Sequence, residues 1–151
     1  MSRHVEIIEK KDCTGCSACY NRCPKGCINM EVDEEGFVYP VVNQRKCVDC
    51  GACQTVCHVL HPLEEMHPRS CLAVKAKDEE IRQASSSGGV FSLLASCVLD
   101  EGGVVFGCRF DENWQVVMDW IDNKNELHLL RGSKYVQASV GTALLKCEEF
   151  L

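Results

Sequence analysis

Cys13-x2-Cys16-x2-Cys19-x3-Cys23-Pro24 and Cys47-x2-Cys50-x2-Cys53-x3-Cys57-His58 are two copies of one spacing, and they decide how the N-terminal part of this chain is read. Three cysteines at equal intervals on a looping backbone can converge on three irons of one compact inorganic cube, and a fourth thiolate completes its ligand set. Structural zinc also uses C-x2-C pairs, but it takes four ligands per ion, usually as two separated pairs. A disulfide framework suits a secreted mini-protein, whereas Met1-Ser2-Arg3-His4 leads straight into a charged stretch without the apolar core of a signal peptide. Haem attachment needs two residues between its cysteines, and Cys53-x3-Cys57-His58 has three. The spacing therefore predicts two 4Fe-4S clusters.

The paired runs resemble those of two-cluster ferredoxins, in which the fourth cysteine of each run ligates the other cluster. That resemblance implies one cluster on Cys13, Cys16, Cys19 and Cys57, and a second on Cys47, Cys50, Cys53 and Cys23. The fourth cysteine of each run is expected to start a helix pointing away from its own loop. Cys57-His58 replaces the common Cys-Pro ending, which changes how the backbone leaves the cluster without removing a ligand.

All eight of these cysteines precede residue 58, so the 151-residue chain divides into a ferredoxin-like part and something else. It is 46% hydrophobic and 25% charged, with no apolar run long enough to span a bilayer. The formal charge is −6, and each oxidised cluster with its thiolates adds roughly −2, which argues against a nucleic-acid partner. The other five cysteines, Cys27, Cys71, Cys97, Cys108 and Cys147, are odd in number and scattered. They fit reduced thiols in the cytoplasm of an anaerobe better than disulfides.

In chain order, Val5-Glu6-Ile7-Ile8 suggests a short strand, and residues 28–32 and 37–42 flank Asp33-Glu34-Glu35-Gly36 as a β-hairpin, with Pro40 marking an edge strand. Such a unit buries little apolar surface, so clusters and cysteines should form most of its core. The stretch after Cys57, with two His-Pro steps, reads as an extended linker, and His58, His61 and His67 as linker histidines rather than a metal trio. Beyond it lie a strand over 71–77, a short helix over 78–84, and a longer helix opened by Ser85-Ser86-Ser87-Gly88-Gly89. That helix is expected to bury Val90, Phe91, Leu93, Leu94, Cys97 and Val98. Strands over 104–110 and 115–121 follow, then a helix from about Ala138 to Leu151 that stops without a cap, as if cut. Cys97 and Cys108 fall in apolar patterns and are expected to be buried and inert. The fold class is α+β: a two-cluster ferredoxin domain over 1–62, a linker over 63–69, and over 70–151 part of an α/β domain with a mixed sheet.

Ser86-Ser87-Gly88-Gly89-Val90-Phe91, Gly107 and Arg131-Gly132-Ser133-Lys134-Tyr135-Val136-Gln137, following two such cysteine runs, resemble the beta subunit of coenzyme F420 hydrogenase/dehydrogenase. The resemblance implies electron passage between iron-sulfur clusters and a flavin, FAD or FMN, with coenzyme F420 as one possible substrate. It also implies a redox partner protein or subunit and further chain completing the flavin pocket. Under it, Ser86, Ser87, Gly88, Gly89, Ser133 and Lys134 are candidate cofactor contacts, since free amides at a glycine-opened helix start suit a phosphate. An ordinary serine N-cap with close-packed glycines explains the same stretch equally well, as a solvated lysine does Lys134. A carrier or docking module without catalysis is the alternative function. No nucleophile and base stand at a recognisable spacing.

Overall fold

In a computed structural model, which describes residues 4–5, 9–64 and 66–151, Asp33-Glu34-Glu35-Gly36 reverses the chain between β1 (Ile28–Val32) and β2 (Val38–Val42). The Asp33 carboxylate accepts the amides of Glu35 and Phe37, each at 3.0 Å, and Gly36 takes φ +90° to close the turn. The strands pair antiparallel from Ile28↔Val42 to Val32↔Val38, with Pro40 opposite Met30. In a two-stranded sheet both strands are edges, so the missing proline amide costs no interior ladder bond. Only Val5 of the strand expected over residues 5–8 lies among the described residues.

Two short helices complete this unit, α1 (Ala18–Arg22) and α2 (Ala52–Thr55). Each carries the third cysteine of its run, Cys19 or Cys53, on its buried side. The helix therefore precedes the fourth cysteine instead of starting at it. At Cys23 the reason is local: Pro24 disfavours the helical region for the residue before it, and Cys23 is extended, with φ −71° and ψ 110°. The core joins Val5, Cys19, Cys27, Ile28 and Cys53, with Tyr20, Cys23, Val42 and Cys47 packed around them. Five of these nine side chains are cysteines.

In the second unit residues 71–77 form neither helix nor strand, so the expected ladder is missing; the Ala76 amide anchors this stretch to the Gly88 carbonyl at 2.6 Å. Asp78 caps α3 (Glu79–Gln83) by accepting the amides of Glu80 and Ile81. Then come α4 (Val90–Asp100) and the antiparallel pair β3 (Val105–Phe110) and β4 (Val116–Ile121). A short helix absent from the sequence pattern, α5 (Leu127–Leu130), follows. Ser139 makes an isolated parallel bridge to Val117 beside a sheet of two antiparallel strands, so the mixed sheet expected over 70–151 is reduced to that single bridge. That pairing holds residues 138–140 out of the last helix, and α6 runs over Ala143–Phe150.

The buried face of α4 differs from expectation. Ser92, Ala95 and Leu99 face inward, while Phe91, Leu93, Leu94, Cys97 and Val98 are exposed. Ala95 and Leu99 meet Ile121, Leu127 and Leu130, and the small residues on this face let α4 lie close to the sheet. Cys97 is thus an exposed thiol, and Cys108 is half-buried.

By contacts the chain forms two units, Met1–Met66 with Leu144–Glu149 and Leu151–Leu151, and His67–Ala143 with Phe150–Phe150. Within the first, the Leu145 amide reaches Asn21 Oδ1 and Arg22 pairs with Glu148, each at 3.4 Å. Among the described residues no helix is long and apolar enough to cross a membrane.

Ile121 is 2% exposed, at the centre of the second unit's core. Ile121→Ala should cost that unit about 2–5 kcal/mol in denaturant unfolding, whereas Leu94→Gln, at an exposed helix position, should stay within about 0.5 kcal/mol.

Candidate functional site

Each cysteine loop is bent at the same two places. Between the first and second cysteines, Gly15 (φ +64°) and Asp49 (φ +50°) are left-handed; directly after the second, so are Ser17 (φ +59°) and Gly51 (φ +78°). Two left-handed residues, one on either side of the second cysteine, curl a seven-residue loop so that its sulfurs turn inward. Two of the four positions carry a non-glycine residue in a region that costs such residues energy. At Ser17 the local compensation is the Asn21 amide group, which donates to the Ser17 carbonyl at 2.9 Å.

These loops line two cavities. One is bordered by Cys13, Cys16, Cys19 and Cys57, together with Val5, Met30 and Pro40. The other is bordered by Cys23, Cys47, Cys50 and Cys53, with Cys27, His4, Ile28 and Val42. In each, three sulfurs of one run meet the fourth cysteine of the other. Among the described residues, the candidate ligand atoms that lie within 4.8 Å of one another in a group of three belong to His4, Cys47 and Asp49, and no three cysteine sulfurs come that close. Zinc bonds of about 2.3 Å would hold tetrahedral sulfurs about 3.8 Å apart. Four cysteines around one largely apolar cavity are the donor set that a 4Fe-4S core takes.

Backbone amides already point at several sulfurs. Val5 donates to Cys53 Sγ at 3.0 Å, Cys27 to Cys23 Sγ at 3.4 Å and Asp49 to Cys47 Sγ at 3.5 Å. Burial pushes the Cys19 thiol up to about 11 and raises Cys53 as well, so a metal bound there has to displace a firmly held proton. Cys23 is the opposite case. Burial pushes it up too, but the amide and thiol of Cys27 and the amides of Lys25 and Gly26 outweigh that and hold it below the ordinary thiol value. Sequence reasoning missed His4: it is buried beside the second cavity, with Nε2 2.9 Å from Gln44 Nε2 and Nδ1 3.5 Å from Asp49 Oδ1. Nothing in the spacing of the runs points to it. His58, His61 and His67 are all exposed.

In the second unit, Ser86, Ser87, Gly88, Gly89 and Ser133 border a cavity of about 370 Å³, with Val74, Phe91, Ser92, Leu130, Arg131 and Gly132. This is within the size range of small-ligand pockets. The helix opens at Gly89, φ +82°, with no side chain capping it, so a serine N-cap does not account for the stretch. Close packing does account for Gly88: a Cβ there would lie 2.6 Å from the Val74 carbonyl. Lys134 does not border the cavity. Its ammonium donates to the carbonyls of Arg131 at 2.9 Å and Leu129 at 3.3 Å, at the end of α5. Arg131, which sequence reasoning did not single out, does border it. Its Nε donates to Ser92 Oγ at 2.9 Å, and Ser92 is 1% exposed, so the guanidinium is held from one side.

Known proteins share both halves. Residues 12–60 match the family of 4Fe-4S dicluster domains. Residues 71–146, half of the chain, match the N-terminal part of the coenzyme F420 hydrogenase/dehydrogenase beta subunit. The chain belongs to the family of that beta subunit. Within it, the chain is similar to a component of the F(420)H(2) dehydrogenase of Methanosarcina mazei, 25% identical over 96% of this chain and 44% of that protein. A shorter stretch, 24% of the chain, is 45% identical to 6% of the coenzyme F420-dependent sulfite reductase of Methanocaldococcus jannaschii. An uncharacterized ferredoxin of the latter organism is 38% identical over 32% of the chain and 68% of its own length. The chain thus spans less than half the length of the first two relatives. The resemblance carried by Ser86 to Phe91 and Arg131 to Gln137 is a family relationship, and the first unit of this member is a 4Fe-4S domain.

Because Gly88 abuts backbone rather than a side chain, Gly88→Ala should destabilise the second unit by about 1–3 kcal/mol in denaturant unfolding. Ser87→Ala, at an exposed position, should stay within about 0.5 kcal/mol.

Proposed function

We propose that this chain is the iron-sulfur electron-transfer part of a flavin-linked oxidoreductase. The observation that carries the reading is the pair of cavities in one small unit, each bordered by four cysteines drawn from both runs. On this reading Cys13, Cys16, Cys19 and Cys57 hold one cluster and Cys23, Cys47, Cys50 and Cys53 the other. A bound 4Fe-4S cluster supplies storage of single electrons, whereas a flavin exchanges them singly or in pairs. The chain's own residues do the rest. They bury the sulfurs of Cys19 and Cys53, aim the amides of Val5, Cys27 and Asp49 at ligand sulfurs, and line the cavities with Val5, Ile28, Met30 and Val42.

The second unit is assigned to the flavin side. Family membership supports this, as do a cavity of ligand size, an α4 start with no side-chain cap, and Arg131 as a cation at its border. Ser86, Ser87, Gly89, Ser133 and Arg131 are the proposed contacts to the cofactor's anionic end, with Gly88 shaping the backbone. The relatives' names point to coenzyme F420 as a substrate and to a further subunit as redox partner, and the cysteine usage to a cytoplasmic setting. The carrier or docking reading is favoured by the similarity to a ferredoxin confined to a third of the chain. Flavin content separates the two.

Anaerobic reconstitution should give about eight irons and eight sulfides per chain, and Cys57→Ala should lose the cluster of the N-terminal run while sparing that of its own run. Iron near four in the parent, or loss of the other cluster, would contradict the assignment. In the protein that carries this chain, purified anaerobically, Arg131→Ala should weaken flavin retention about tenfold or more with iron unchanged. Flavin-free protein with full iron would return the chain to the carrier reading.

A further inference from the structure

Cys27 belongs to neither ligand set, yet it lies in the second cavity. It is 4% exposed, its Sγ stands 3.4 Å from Cys23 Sγ, and its amide points at the same sulfur. The corresponding place in the other run, four residues past Cys57, is taken by His61, which is exposed and bonds Cys57 through its backbone amide, at 2.8 Å to the carbonyl. The first cavity is bordered by four cysteines and no fifth among the described residues. The two halves repeat each other in loop geometry and differ here.

We propose that Cys27 is a positioning residue that sets the potential of the second cavity: its thiol donates a hydrogen bond to Cys23 Sγ and makes the cluster bound there easier to reduce. This rests on the reading that the cavities hold 4Fe-4S clusters. Reduction adds negative charge that spreads onto the thiolate ligands, so a donor aimed at a ligand sulfur stabilises the reduced form more than the oxidised one. Cys27 is suited to donate. It is buried with its sulfur 3.4 Å from Cys23 Sγ, and a cysteine outside the ligand set keeps its proton, whereas a ligand sulfur is a thiolate that can only accept. Burial strengthens the bond, since little water competes for the Cys27 sulfur. The consequence is that two similar cavities become unequal, with the second favoured as the resting place of an electron.

The test is a redox titration of the reconstituted chain followed by electron paramagnetic resonance, with iron counted first. Cys27→Ala should keep the parent's iron content and shift one cluster's midpoint to more negative potential, leaving the other in place. Cys27→Ser, which keeps a donor and nearly the same volume, should shift it less. Cys50→Ser perturbs the same cavity and identifies which signal belongs to it. Unchanged midpoints, an equal shift of both, or a shift confined to the other cluster would overturn the proposal. So would loss of half the iron in Cys27→Ala, because Cys27 would then be a ligand. A parent chain that binds a single cluster would instead overturn the reading beneath it, and the proposal with it.

Discussion

The first unit depends on one constraint: sulfurs from two distant stretches of chain must converge on two points inside a body too small to have another core. Cys19, Cys27 and Cys53 are buried together with only Val5 and Ile28 among the described residues, and Cys23 and Cys47 pack around them. Cysteines of both runs therefore make up much of the hydrophobic core of this unit. A metal centre held by both runs would also close the loop between them, and its binding free energy would then serve as folding free energy. The exchange of the fourth cysteine between the cavities follows from the same economy, since it ties the halves to each other at both ends.

Convergence is written into the backbone of both loops. The left-handed residues at Gly15 and Ser17, and at Asp49 and Gly51, repeat at matching loop positions although only one of each pair is a glycine. The repeat is thus one of conformation, with its side chains free to differ. That freedom is what allows His4, Gln44 and Asp49 to gather at the second cavity, and Cys27 to stand against Cys23.

In the second unit the same glycine-rich stretch answers two demands at once. Gly88 is required by the approach of the Val74 carbonyl, and Gly89 by a left-handed entry into α4. The structural explanation and the cofactor explanation of these residues are compatible. The uncapped helix start at Gly89 borders the same cavity as Ser133 and Arg131. Lys134, by contrast, is engaged with the carbonyls of α5, where a cation meets the negative end of a helix.

What the sequence determined by itself is local. The cysteine spacing, the Asp33-to-Gly36 turn, the short helix beginning near Asp78 and the strands β3 and β4 each depend on residues a few positions apart, and each is legible in the chain. Tertiary structure decided everything that depends on distant pairs. It set which face of α4 is buried, because apolar spacing shows that a helix has a face but not that small residues must meet Ile121 and Leu130. It turned residues 138–140 into a partner for β4, overriding a helical pattern through the Val117↔Ser139 bridge. It joined Arg131 to Ser92 across 39 positions of sequence and placed His4 beside Asp49 across 45. The spacing of cysteines names the metal chemistry, since ligand geometry is a short-range property; which further groups surround it is fixed by packing, which sequence separation does not reveal.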